Sequence, residues 1–380
     1  MNQIKSLIKL LITLLLYISL SIPASADSSV NDNSFFHEVA QYICMNSEQT
    51  QSDSVDVFLT KNEIKKGTGE KYVSPEDFRY ADNPRYLITG DMPLAETHIR
   101  PLAMGIMVGV YGTIFYFQHV GQMNTIWKDR GPFRIIEDGR YALYADKAGH
   151  IFGGYFSSYV MSESMMLSGF SYDASAIWGG VAGLAYETYV EILDGFGKEW
   201  GFSPTDWYAD IFGVSLFVAQ HFVPYLQNFT VKFMYIPSPW IGENKRVPSD
   251  MFIDDYSSHT IFLSANIHNM LPKDLKDFWP SWLQLSVGYA ARNLCSPFPP
   301  SQCDKCKSEQ IYSDVWGSPK FIVALDYDLV KILPDGGYVW NWFKQSLNYF
   351  KLPSPAIEFG AVTKVYLMYP FPIKIGNIRF

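Results

Sequence analysis

Apolar residues recur along this chain with two different periods, and the switch between them falls near Pro224. Before it, the apolar stretches are long and helical. Residues 101–120 carry no formal charge, and 20 positions are enough to cross a bilayer as a helix. Residues 146–168, 174–196 and 203–225 read as three further helices. Small residues four apart, at Gly105/Gly109, Gly149/Gly153 and Gly179/Gly183, let helices approach closely. Ser203 and Pro204 read as an N-cap and first helical position, with Asp206 as a short-armed capping-box partner.

After Pro224 the period drops to two. Residues 230–236, 259–268 and 282–291 alternate, and 321–328, 356–369 and 373–380 are also strand-like. In the third of these, Leu283, Leu285, Val287 and Tyr289 share one face, and Gln284, Ser286, Gly288 and Ala290 the other. Residues 337–350 read as an interposed amphipathic helix with Trp340, Phe343 and Leu347 on one side. The pattern therefore predicts an α+β fold associated with a membrane. A bundle of about four apolar helices over 101–225 is followed by an antiparallel β-sheet or partial barrel over 226–380. Terminal Phe380 after Gly376 and Ile378 is similar to the last strand of an outer-membrane barrel, although six strands fall short of the eight that closure needs.

The N-terminus adds an address. Lys5 and Lys9 precede an apolar stretch from Leu10 to Ile22, and Ala24-Ser25-Ala26 supplies small residues for cleavage before Asp27. Residues 1–26 are thus expected to be a secretory signal peptide, with 27–100 an irregular polar region behind it. Lys5 and Lys9 are the only charges in the signal, so its loss takes the formal charge from −8 to −10. With no Lys/Arg run, nucleic acid is excluded as a partner. Aromatic residues make up 16% of the chain and charged ones only 18%, against a usual ~25%; this favours membrane lipid as a partner. Protein partners are not indicated. In an oxidising compartment Cys44, Cys295, Cys303 and Cys306 are disulfide candidates, and the Cys303/Cys306 spacing also allows a metal or redox role.

Polar residues in the helical half are few, and their spacing carries the chemistry. Asp146 and His150 are four apart; Glu187, Glu191 and Asp194 stand at i, i+4 and i+7; Asp206 and Asp210 are again four apart. These acids with one histidine could hold a divalent metal, or supply His150, Glu191 and Asp206 as catalytic acid/base groups. Equally, the outermost of them could simply solvate helix ends, with Asp146 and Asp206 favouring the positive N-termini. Neither a Gly-x-Ser-x-Gly elbow, a phosphate loop nor a His-Glu-x-x-His motif is present.

Several of these residues carry a resemblance. Asp146-Lys147-Ala148-Gly149-His150, Glu191-Ile192-Leu193-Asp194-Gly195-Phe196, and Trp200-Gly201-Phe202-Ser203-Pro204-Thr205-Asp206 with Gly213 resemble the YfiM-like predicted periplasmic lipoproteins, a domain of unknown function. The likeness covers 146–220. A more distant similarity is to VanZ-like membrane proteins, which share DK-x-x-H and carry Asn where Asp210 stands here. The resemblance supplies no activity; the signal, the aromatic load and the change of period near Pro224 point to an uncharacterised exported envelope protein, structural or accessory at the outer membrane, with the periplasm or inner membrane as alternatives. The alternative is a membrane-embedded enzyme acting on lipid or cell-wall intermediates through the His/acid cluster.

Overall fold

The computed structural model describes residues 69–243, 252–295, 309–310, 316–375 and 378–379. The expected signal peptide, Cys44, Cys303 and Cys306 lie outside them. Cys295 is disulfide-bonded, as the oxidising compartment predicts. The chain divides into two compact units. Ile64–Met107 and Gln122–Phe380 form one; Val108–Gly121 belongs to the other, whose remaining residues are not described.

Helix α1 (Pro101–Asn124) starts on a proline that needs no intrahelical donor. Among the described residues it alone is long and apolar enough to cross a membrane. Leu102, Val108, Tyr116 and Phe117 are exposed along it, and a Cβ added at Gly105 or Gly109 would meet nothing within 4 Å. Among the described residues its small-residue pair therefore meets no other helix.

The other glycines are used. Helices α2 (Ala145–Leu167), α3 (Tyr172–Asp194) and α4 (Pro204–Phe222) pack as a three-helix bundle. A Cβ on Gly179 of α3 would lie 2.7 Å from the Ser162 backbone of α2. One on Gly213 of α4 would lie 2.1 Å from the Ile151 carbonyl oxygen, so neither crossing could form with a larger residue.

Beyond α4 the strands form an open antiparallel sheet: β1 (Phe229–Tyr235), β2 (His259–Ala265), β3 (Leu283–Cys295), β4 (Trp316–Tyr327), β5 (Ala356–Phe359) and β6 (Lys364–Tyr366), in that order. Glu309–Gln310 adds two residues alongside β4. The sheet does not close into a barrel. Two expected strands are shorter than their apolar pattern. Residues 356–369 break into β5 and β6, and the last segment makes only a two-residue ladder, Lys374–Ile375 with Ile378–Arg379, outside the main sheet. The end of 259–268 turns helical because Asn266 caps Ile267–Met270.

The two faces of this sheet are inverted relative to a water-soluble fold. The enclosed face holds Met234, Phe262, Ile322 and Ala324, but also Lys232, Ser264, Ser286, Arg292, Asp326 and Glu358, all buried. Their charges are matched internally. Lys232 lies 2.9 Å and Lys351 3.4 Å from Asp326, which Ser264 also reaches, and Arg292 donates to the Ser257 carbonyl and Thr260 hydroxyl. Those contacts hold the Asp326 carboxyl below its ordinary range against the opposing effect of burial. The opposite face is apolar. Helix α2 covers it over β1 and β2, where Phe152 stacks on Phe233 at 5.2 Å. Further along, it is open.

Helix α5 (Tyr338–Leu347) repeats the inversion. Its polar Asn341 and Lys344 are buried, while Tyr338, Val339, Trp340 and Phe343 are exposed.

Candidate functional site

Three consecutive left-handed residues, Ala142, Leu143 and Tyr144 (φ 47°, 54° and 67°), turn the chain sharply into α2. Side chains rarely adopt this region, at about 1–3 kcal/mol each, so packing must hold it. Ala142 and Leu143 are buried, and the Tyr289 hydroxyl of β3 donates to the Leu143 carbonyl. The turn delivers Asp146, Lys147 and His150 to the first two turns of α2.

Helix α4 supplies the facing acids. Ser203 caps it, accepting from the Asp206 amide at 3.2 Å, and Asp210 follows one turn later. The Gly213–Ile151 crossing, with Gly154 against the Asp210 backbone, brings Asp210 onto His150. The His150 Nδ1–Asp210 Oδ1 distance is 3.0 Å. From α3, Glu191 is buried and accepts the Ser203 backbone N–H at 3.1 Å.

The other ring nitrogen has a different environment. Nε2 of His150 lies 3.7 Å from Asp146 Oδ1, 3.8 Å from Glu191 Oε1 and 3.7 Å from Asp206 Oδ1. These gaps are too long for hydrogen bonds. They are close to the roughly 3.4 Å edge of a tetrahedron of ligands about 2.1 Å from a central ion. The triads Asp146/His150/Asp206 and His150/Glu191/Asp210 each offer ligand atoms within 4.8 Å of one another. Asp210 is fully buried, and its Oδ2 has no hydrogen-bond partner among the described residues. A histidine that donates Nδ1–H to a carboxylate and presents Nε2 to further ligands has the usual arrangement of a metal-binding imidazole. The His150 side chain is 18% exposed, so the group is reachable.

One cation is already built in. Lys147 Nζ lies 2.6 Å from Asp138, 2.8 Å from Asp146 and 2.5 Å from Asp206. It balances one charge of a set that also contains Glu187, Glu191 and Asp210. The surplus appears as displaced proton affinities. Burial pushes Glu191 up to about 9. Burial and the Asp210 charge raise Glu187 to about 8, and burial with the Asp146 charge takes Asp206 to about 7. Asp146 goes the other way, to about 2, because the His150 and Lys147 charges outweigh its burial. For His150, burial disfavours the imidazolium, but the Asp210 hydrogen bond and the surrounding carboxylates overcome it and raise its pKa well above the ordinary value. As built, the cluster holds more negative charge than Lys147 can neutralise, so it must take up protons or a cation.

The structure brings Asp146, His150, Glu191, Asp206 and Asp210 together, with Glu187 at the edge against Gly153. Asp194 makes its hydrogen bond elsewhere, although its charge reaches Glu191 and His150. Its carboxylate accepts the Trp127 indole N–H at 2.5 Å, and burial raises its pKa to about 7. Asp138 and Tyr256 had no sequence signal. Asp138 sits in an irregular connector and accepts from Lys147 and from the Ser203 hydroxyl at 2.5 Å; Tyr256 hydrogen-bonds Asp146 from the short turn that precedes β2. Because the Ser203 hydroxyl serves both the cap and Asp138, Ser203→Ala is expected to cost about 1–2 kcal/mol, read by urea unfolding.

Residues 131–220 match the family model described as Predicted periplasmic lipoprotein (DUF2279). That family is of unknown function, and the match supports export to the envelope. The matched segment contains Asp138, Asp146, Lys147, His150, Glu187, Glu191, Ser203, Asp206 and Asp210, so all of the cluster except Tyr256 falls inside it. The sheet lies wholly beyond its end. Neither a curated protein nor a solved structure matches the chain.

Proposed function

We propose that this is an envelope protein held at the outer membrane, in an accessory role, and that its helical bundle carries a divalent-cation centre. The observation that carries the centre is the split environment of His150: Nδ1 hydrogen-bonded to Asp210, Nε2 facing three carboxylate oxygens at 3.7–3.8 Å. One imidazole with several carboxylates suits Zn²⁺ or Mn²⁺ better than an all-oxygen Ca²⁺ site. His150, Asp146, Glu191 and Asp206 would hold the ion, while Asp210 fixes the ring and Lys147 the carboxylates. Titration of metal-stripped protein with Zn²⁺ or Mn²⁺ in a calorimeter is expected to give one saturable site. No heat and no shift in melting temperature would exclude it. For the outer-membrane assignment, cell fractionation is the check: recovery wholly in the soluble periplasm overturns it.

A second reading, an enzyme acting on lipid or cell-wall intermediates, is favoured by one further observation. An open apolar groove of about 460 Å³ runs along α3, lined by Val181, Leu184, Ala185, Thr188, Tyr189 and Ile192. Glu187 and Glu191 lie on the same stretch of that helix. The groove would take an acyl chain on the outward side of α3, whereas Glu191 is turned into the bundle.

A further inference from the structure

The open part of the outer sheet face is a continuous apolar surface, and the register shows how it is built. Leu263 pairs with Val287, Val287 with Val323, Val323 with Ile357, and Ile357 with Val365. These five aliphatic side chains, one from each of β2 to β6, form a single cross-strand row, each 38–54% exposed. Four inter-strand steps of ~4.8 Å make the row about 19 Å wide.

Along the strands the surface is graded. Outward positions of β3 read Leu283, Leu285, Val287, Tyr289, and those paired with them on β4 read Tyr327, Leu325, Val323, Phe321. The middle is aliphatic. One end carries Tyr327 against Trp282 at 6.3 Å, and the other Tyr289 against Phe321 at 5.3 Å, with Phe359 paired beside it. Six residue-to-residue steps take the chain from Leu283 to Tyr289, about 20 Å at ~3.4 Å each. The apolar band of outer-membrane barrels is about 25 Å tall and ends in aromatic girdles.

We propose that this face of β2–β6 lies against the hydrocarbon of a lipid bilayer. The inference rests on the membrane reading above and names the surface responsible. Three features favour lipid over a second copy of the chain. The enclosed side of the same strands is rich in charge, the apolar-out, polar-in alternation of strands that face hydrocarbon. Helix α5 independently turns its aromatic side outward and its lysine inward. Finally, the aromatic ends match the two headgroup boundaries of a bilayer, whereas a sheet-on-sheet interface has no need of them.

Photo-crosslinking tests this on the full chain reconstituted in phosphatidylethanolamine–phosphatidylglycerol vesicles. p-Benzoylphenylalanine is placed at Val323, at Val287 in a second variant in case the first misfolds, and at exposed Glu96 as the comparison. The expected result is an intact-mass increase of one phospholipid at 323 and 287 and none at 96. Protein dimers, equal labelling at 96, or no adduct while the chain still floats with the vesicles would overturn the inference and leave the membrane reading standing. A chain that does not float at all would overturn both.

Discussion

His150→Ala is expected to abolish Zn²⁺ and Mn²⁺ binding, because it removes the only nitrogen ligand and opens the side of the cluster that faces solvent. Asp210→Asn is the more informative partner. It keeps size and burial but replaces an anionic acceptor with an amide that can offer the wrong group to Nδ1. Loss of such an orienting partner typically lowers metal affinity about 10–100-fold. Calorimetry on the two variants should therefore give no site for the first and a weakened one for the second. Equal affinity in Asp210→Asn and the unaltered protein would mean that the 3.0 Å contact does not orient a ligand. Asp194→Asn is the milder comparison: its carboxylate is bound to Trp127 but its charge reaches Glu191 and His150, so affinity should fall less than in Asp210→Asn.

Gly213→Ala is expected to produce the largest loss of stability. The added methyl would stand 2.1 Å from the Ile151 carbonyl oxygen and 2.9 Å from the Tyr155 amide nitrogen, both backbone atoms that cannot rotate away. The helices must separate, and overpacking of this kind costs about 1–3 kcal/mol, sometimes more. At about 2–4 °C per kcal/mol, melting should fall by roughly 2–12 °C. Because the same crossing sets the His150–Asp210 contact, cation affinity should fall with it. Gly109→Ala provides the contrast. Among the described residues nothing lies within 4 Å, and alanine favours a helix by about 1 kcal/mol over glycine, so stability should hold or rise.

Much of this was legible beforehand because helix and strand periods are local. All four long helices and the first four strands appear within a few residues of their expected positions. The cluster was legible for the same reason: Asp146/His150, Glu187/Glu191 and Asp206/Asp210 each share a helix face, and only their convergence needed three dimensions. Asp138 could not be read, since its role depends on a connector folding back to Lys147. Asp194 was misleading because i, i+7 spacing placed it on the acidic face, while Trp127, 67 residues away, claims it. Nor could periodicity tell which side of a strand or of α5 faces inward. Alternation gives two faces and leaves their assignment to whatever surrounds the molecule.

The inverted sheet bears on how the chain must be handled on its way to its destination. On the proposed placement, an exported chain would cross water before reaching a bilayer, and during that passage the row from Leu263 to Val365 would have no cover. Its hazard there is company rather than unfolding, for two such surfaces meeting in solution would clasp each other. Safe delivery then depends on an escort that shields the sheet, or on finishing the strands only at the membrane itself.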